Sequence, residues 1–143
     1  MRALLDVNVL IALLDAGHAM HAAAMAWLER ELPHGWASCP ITQNGVVRVM
    51  AQPSYPTSRP ARLVAERLAE ACMAPDHAFW PDDVSLLESA LIDWTGVLGH
   101  RQVTDAYLLA LAVRNGGRLV TFDKRIAVET VTGAASDHLV VIH

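Results

Sequence analysis

A parallel β-sheet covered by helices is what this sequence predicts, and three stretches predict it. Ala3-Leu4-Leu5 is a short apolar run that reaches Asp6, passes Asn8, and turns apolar again with helical spacing. Arg118 to Phe122 is a second short run, and it reaches Asp123. Between them, Val103 to Asn115 carries Ala106, Leu109, Ala110 and Val113 on one helical face, and Asn115-Gly116-Gly117 stops it. Short strands separated by helices give an α/β domain with a parallel sheet and helices on both faces. Ligands of such sheets gather beyond the carboxyl ends of the strands. Asp6 and Asp123 are therefore expected on one rim, with Asp105 brought to it by a right-handed crossover.

The remaining elements follow in order. Val7 to Leu14 is a first helix. His18 to Leu32 is a second, with an apolar stripe of Met20, Ala23, Ala24, Trp27 and Leu28 opposite Glu29 and Arg30. Pro33 and Gly35 break it. Trp36 to Cys39 is a strand, and Pro40 opens a third helix from Ile41 to Met50, in which Gly45 is a weak spot. Gln52 to Pro60 holds three prolines and reads as a binding or lid loop. A fourth helix spans Ala61 to Met73, and Ala78 to Trp80 is a brief strand closed by Pro81. Asp82 or Asp83 caps a fifth helix over Ser85 to Trp94. The long helix from Val103 is the sixth, with Thr104 as its N-cap and Asp105 in its first turn. Ile126 to Thr132 is a short helical piece, and Leu139 to Ile142 the last strand. The sheet thus has four to five short strands.

Length and composition narrow the function. A chain of 143 residues fits one domain. No apolar run spans a bilayer and no leader with a clean cleavage site is visible, so the cytoplasm is the expected compartment. Cys39 and Cys72 form no CxxC pair and are expected as buried free thiols. Net charge is −4, which excludes a globally basic nucleic-acid binder. Locally, Arg48, Arg59, Arg62 and Arg67 fall close together, a set suited to phosphate or carboxylate contacts or to a solvated helix face. His100 and Arg101 stand just before the Asp105 helix.

Three carboxylates converging on one rim repel strongly unless a cation is bound or some pKa values rise. Oxygen ligands select hard ions, Mg²⁺ or Mn²⁺. Mg²⁺ commonly sits on one or two carboxylates plus a phosphate, so a phosphate ester and metal-assisted hydrolysis are the matching chemistry. Taken singly, each aspartate also has a plainer role: a strand-end turn for Asp6, a helix-dipole contact for Asp105, an Asx turn for Asp123.

The chain resembles the VapC-type toxins among PIN-domain proteins. The matching pieces are Leu4 to Ile11, Pro40 to Val49, Thr104 to Ala112 and Thr121-Phe122-Asp123, in family order and spanning nearly the whole chain. The resemblance implies a three-layer α/β/α sandwich and a Mg²⁺- or Mn²⁺-dependent endoribonuclease. It implies 5′-phosphate and 3′-hydroxyl products, a homodimer, and a VapB-type antitoxin held along a groove between the N-terminal helices. Asp6 and Asp105 match the metal-binding aspartates and Asp123 a further acidic position. Asn8 and Thr121 match supporting polar residues, with Thr104 beside them. The family usually has a glutamate where this chain has Gln43, which can orient a water but cannot serve as a base. Arg48, Arg59, Arg62, His100 and Arg101 are the candidates for gripping RNA. Two other readings compete: a degenerate PIN domain that binds without cutting, and a haloacid-dehalogenase-type phosphatase. The second expects an acid at Asn8 and a lysine before Asp123.

Overall fold

The computed structural model describes all residues, Met1–His143. Its element order is β1 (Ala3–Leu5), α1 (Val7–Leu14), α2 (His21–Glu31), β2 (Trp36–Ser38), α3 (Pro40–Met50), α4 (Ala61–Ala71), β3 (His77–Phe79), α5 (Arg101–Arg114), β4 (Arg118–Thr121) and β5 (Leu139–Val141). All five strands are parallel, in the order β3-β2-β1-β4-β5. β1 sits at the centre, with β2 on one side and β4 on the other. The chain winds away from it in both directions, which makes the carboxyl end of the β1–β4 pair the crevice of the sheet.

Alternation along β1 separates two cores. Leu4 joins Ala37, Leu119 and the apolar face of α5 on one side of the sheet. Ala3 and Leu5 join Trp36, Val120 and residues of α1, α2, α3 and α4 on the other. Both faces are covered, giving the three layers. Trp27, Trp36 and Trp80 are buried, and only Trp94 is exposed. Cys39 and Cys72 are free thiols, the first buried and the second half-buried. No helix is long and apolar enough to cross a membrane.

Several boundaries differ from expectation. Residues 85–94 are not a helix. The carbonyls of Ala90 and Leu91 are taken by Thr132, Asp93 N–H bonds Thr130 O, and Ile92 bridges Val131. Those long-range bonds replace the i→i+4 ladder, and Leu87 lies 90% exposed. Asp82 accordingly caps no helix. The 126–132 piece reduces to a 3₁₀ turn over Val128–Thr130. Helix α2 starts at His21, because His18 Nδ1 accepts from Met20 N–H and holds a turn there. Gly45 is required by packing: a Cβ there would come within 2.6 Å of Val7 Cγ2, so its absence lets α3 lie close on α1.

Candidate active site

Sheet register builds the site. Leu5 pairs with Val120, and Asp6 N–H donates to Val120 O, so Asp6 emerges beside Thr121. Asp6 is then the N-cap of α1: Oδ1 accepts from Val7 N–H at 2.8 Å, and Oδ2 accepts from the Thr121 hydroxyl at 2.8 Å. Thr121 Oγ1 in turn accepts from Asp123 N–H at 3.1 Å. One threonine therefore braces both strand-end aspartates. Asp6 is only 9% exposed, and burial raises its pKa against the pull of these two donors, with Asp123 adding.

Asp105 arrives from α5. That helix begins at Arg101, because the Gln102 side chain accepts from the N–H groups of both Leu98 and Gly99 and starts the helix early. Thr104 is thus not an N-cap, and Asp105 lies in the second turn. Burial first, then Asp6 and Asp123, push its pKa up to about 6. Only Arg125 opposes them, and no hydrogen bond holds the charged form. Asp123 behaves oppositely. Arg125 donates from Nε to Oδ1 and from a terminal nitrogen to Oδ2, each at 3.0 Å, and holds this carboxyl below the usual range.

The donor set fits a hard divalent cation. Three carboxylates share one field, with one exposed guanidinium against them. Asp105 has no donor of its own. No three acidic, histidine or cysteine side chains close on one point, so the arrangement is an open rim rather than a cage. Such a rim leaves positions for water and phosphate oxygens, as Mg²⁺ prefers.

Other expected site residues divide. His100 and Arg101 line a depression of about 240 Å³ with Asp105, Asp123 and Arg125. Arg48 and Thr104 line another, of about 430 Å³, together with Val7. Asn8 is exposed on the first turn of α1. Arg59 lies on the loop before α4, and Arg62 is paired to Glu66 at 2.9 Å on its own helix. Neither lines these depressions. Nor does the 52–60 loop act as a lid: Tyr55 and Thr57 donate to Asp15, at the far end of α1, roughly 13 Å along the helix axis from Asp6.

Gln43 requires the largest correction. Its Nε2 donates to Ser38 Oγ at 3.0 Å, and Ser38 Oγ meets His77 Nε2 at 2.8 Å. It therefore faces the α3–α4 side and lines a separate cavity with Ala65, Leu68 and Cys72. The face of α3 turned toward Val7 and Thr104 carries Ile41, Asn44, Gly45 and Arg48, one helical turn apart. No residue of α3 is acidic. Two residues near the site escaped the sequence reading: Arg125, whose signal is an acid two residues before it in a turn, and Asp82, which lines the Arg48 depression.

Comparison with known proteins identifies the family and the fold. The PIN domain family matches residues 3–129. Ribonuclease VapC44 of Mycobacterium tuberculosis is 51% identical over 142 residues, covering 99% of this chain and all of that protein. Ribonuclease VapC39 of the same organism is 48% identical, covering 89% of this chain and 92% of its own. Among solved structures, that of Mycobacterium tuberculosis VapC20, a sarcin–ricin loop cleaving toxin, superposes with a TM-score of 0.60 at 18% identity. It covers 85% of this chain and 90% of the other. The VapBC2 structure from Rickettsia felis, bound to a promoter DNA fragment, gives 0.56 at 10% identity over 99% and 97%. With a strand-end aspartate pair braced by one threonine and relatives of this identity over full length, the chain belongs to the PIN-domain family, among its VapC ribonucleases.

Proposed function

We propose that this chain is a Mg²⁺- or Mn²⁺-dependent endoribonuclease, the toxin of a toxin–antitoxin pair, working in the cytoplasm. The observation that carries the reading is Asp105: a half-buried carboxylate beside two others, with no hydrogen-bond donor of its own. A divalent ion held by Asp6 and Asp105 would supply that missing partner, acidify a water and polarise the phosphodiester. Thr121 fixes the orientation of Asp6 and the backbone turn that presents Asp123. Arg125 and Arg101 place positive charge on the same rim, with the His100 ring beside them, where an RNA backbone needs it in a chain of net negative charge.

An apolar groove of about 290 Å³ suits the antitoxin. Leu10, Leu13 and Leu14 of α1, Leu28 of α2 and Leu68 of α4 line it. An amphipathic helix laid there would bury its apolar face. Trp27 of the same α2 stripe packs inward with Trp36 and Val120 of this chain's own sheet, and Ala24 is fully buried, so the helix serves both layers. The active form is a homodimer in this reading.

The test is a cleavage time course on total RNA, with Mg²⁺ or Mn²⁺ and with chelator, comparing the chain with Asp6→Asn. Discrete fragments that need both metal and Asp6 are expected. Intact RNA from folded, metal-binding protein would leave a domain that binds without cutting.

A further inference from the structure

Leu98 is an apolar side chain placed among charges. It is 83% exposed, and it lines the depression of about 240 Å³ that also holds Asp105, Asp123, Arg101 and Arg125. It is the only apolar side chain there. A lone exposed leucine is ordinary on a protein surface. This one differs in its place and in how firmly its backbone is held. The Gln102 side chain accepts from Leu98 N–H at 2.7 Å and from Gly99 N–H at 2.9 Å. Gln102 lies on α5 one turn before Asp105, on the same helix face. The turn that carries Leu98 and the carboxylate that needs a cation are thus fixed to one rigid element.

The surroundings narrow what Leu98 can meet. Both of those N–H groups are taken by Gln102, so they offer no donor to a phosphate. The rim beside them carries two carboxylates, which repel an anion unless a metal intervenes. Phosphates suit the guanidinium groups of Arg101 and Arg125 instead. What remains of a nucleotide is its base, whose flat face gains by leaving water for an apolar surface. Leu98 is the only surface of that kind in the depression.

We infer that Leu98 is a substrate-positioning residue: the base next to the cut phosphate lies against it, whatever the identity of that base. The inference rests on the ribonuclease reading above. Packing on a side chain discriminates little among bases, because every base has a face. It fixes instead where the RNA crosses the carboxylates. A backbone can slide among guanidinium groups, whereas a base lodged against a pinned leucine sets which phosphate stands over Asp6 and Asp105. That base must leave its stack to reach Leu98.

The test starts from the strongest metal-dependent cut that the unaltered chain makes in total RNA. A short synthetic RNA spanning that cut is prepared intact and with an abasic nucleotide at either neighbour of the cut phosphate. On the intact RNA, Leu98→Ser should lower kcat/KM about fivefold, the scale of losing one partly buried leucine contact. Cuts at neighbouring phosphates should appear at the same time, because the register is no longer fixed. Removing one of the two neighbouring bases should cost the unaltered chain a similar factor, and Leu98→Ser should add nothing to that loss, since base and side chain form one pair. Leu98→Phe, which offers a flat face, should restore rate and register. All three chains should melt alike, as the position is exposed. Unchanged kcat/KM and cut position in Leu98→Ser would overturn the inference, as would a loss that repeats in full on both abasic RNAs. If that uniform loss came with a change of oligomeric state in sedimentation, Leu98 would be a contact between copies of the chain instead. These outcomes leave the ribonuclease reading standing. Absence of any metal-dependent cut in total RNA defeats that reading, and this inference with it.

Discussion

Two polar clusters flank α3, and they are built to opposite rules. On the α4 side, Gln43 donates to Ser38, Ser38 meets His77 Nε2, and the other side of the His77 ring is held by the Cys72 backbone. Ser38 is fully buried, yet each of these groups has a partner. On the α1–α5 side, Asp6, Asp105 and Asp123 stand in one field, and Asp105 has no donor at all. A satisfied buried network is architecture. An unsatisfied one persists only where a ligand completes it or where function requires the strain. Residue type alone does not separate the two, since a Ser–His pair looks more catalytic than a row of aspartates. Satisfaction separates them.

The largest test of that contrast is Asp6→Asn. The change keeps shape and a cap acceptor for α1 but removes a charge from the rim. Cleavage should fall by at least on the order of 10²-fold, the scale of losing one electrostatic stabiliser. The metal-free chain should melt no lower than the parent, because a disfavoured buried charge is gone. Loss of activity together with a large fall in melting temperature would instead class Asp6 with the structural network.

Acid titration comes next. Asp105 has a folded pKa of about 6, above its unfolded value, so the folded state holds its proton longer. The sign is therefore destabilising on the alkaline side. Stability is lost as pH rises from about 4 to about 6, and the penalty is complete above that. Asp123, with its pKa lowered, acts the other way and only below the ordinary carboxylate range. The shift would bring roughly 3 kcal/mol if the group were fully buried, and about 1 kcal/mol after solvent screening of a half-exposed carboxylate. About half of that penalty has set in by pH 5, so the metal-free chain should melt about 1–2 °C higher at pH 5 than at pH 7.5. Asp105→Asn should flatten that slope. Mg²⁺ should lose affinity as pH falls through the same range, because proton and metal compete for one group.

Legibility in the sequence tracks how local each determinant is. Asp6 and Asp123 were readable because each directly follows a short apolar run, and a strand end needs no distant information. Asp105 was readable because α5 is a long apolar helix with a firm Asn115-Gly116-Gly117 stop. Gln43 was misplaced because its outcome depends on helix phase. The apolar residues of α3, Ile41, Val46, Val47, Val49 and Met50, lie around most of the helix and set no phase, while Gly45 opposite Val7 does. The 85–94 segment was misread because its carbonyls are claimed by Thr132, some forty residues away. Asp82 looked like a cap for a helix that this pairing prevents.

Gln43→Glu sharpens the same contrast at smaller amplitude. If Gln43 stood at the rim, a glutamate there would add a ligand and raise activity. Its position in the Ser38 network predicts the opposite. The new carboxylate cannot donate to Ser38, and turning the serine hydroxyl to it strips His77 of its donor. Stability should drop by about 1–2 kcal/mol with the cleavage rate unchanged. A thermal melt beside a cleavage rate decides it.

The smallest expected effect belongs to Arg125→Ala. Arg125 is exposed and reaches Asp123 across a turn, so its loss should leave folding stability within error. Its charge nevertheless works on the rim, as the only cation opposing the rise in Asp105. Removing it frees both oxygens of Asp123 and deepens the negative field. Mn²⁺ should then bind a few-fold tighter in calorimetry, and the gap should shrink in high salt because an exposed charge is screened. RNA binding should weaken at the same time, since the backbone loses a cation beside the aspartates. Tighter metal with weaker RNA identifies a guanidinium that occupies the acidic rim until other partners arrive. Weaker metal binding would mean instead that Arg125 aims Asp123 at the ion, making the pair part of the braced architecture rather than a competitor for it.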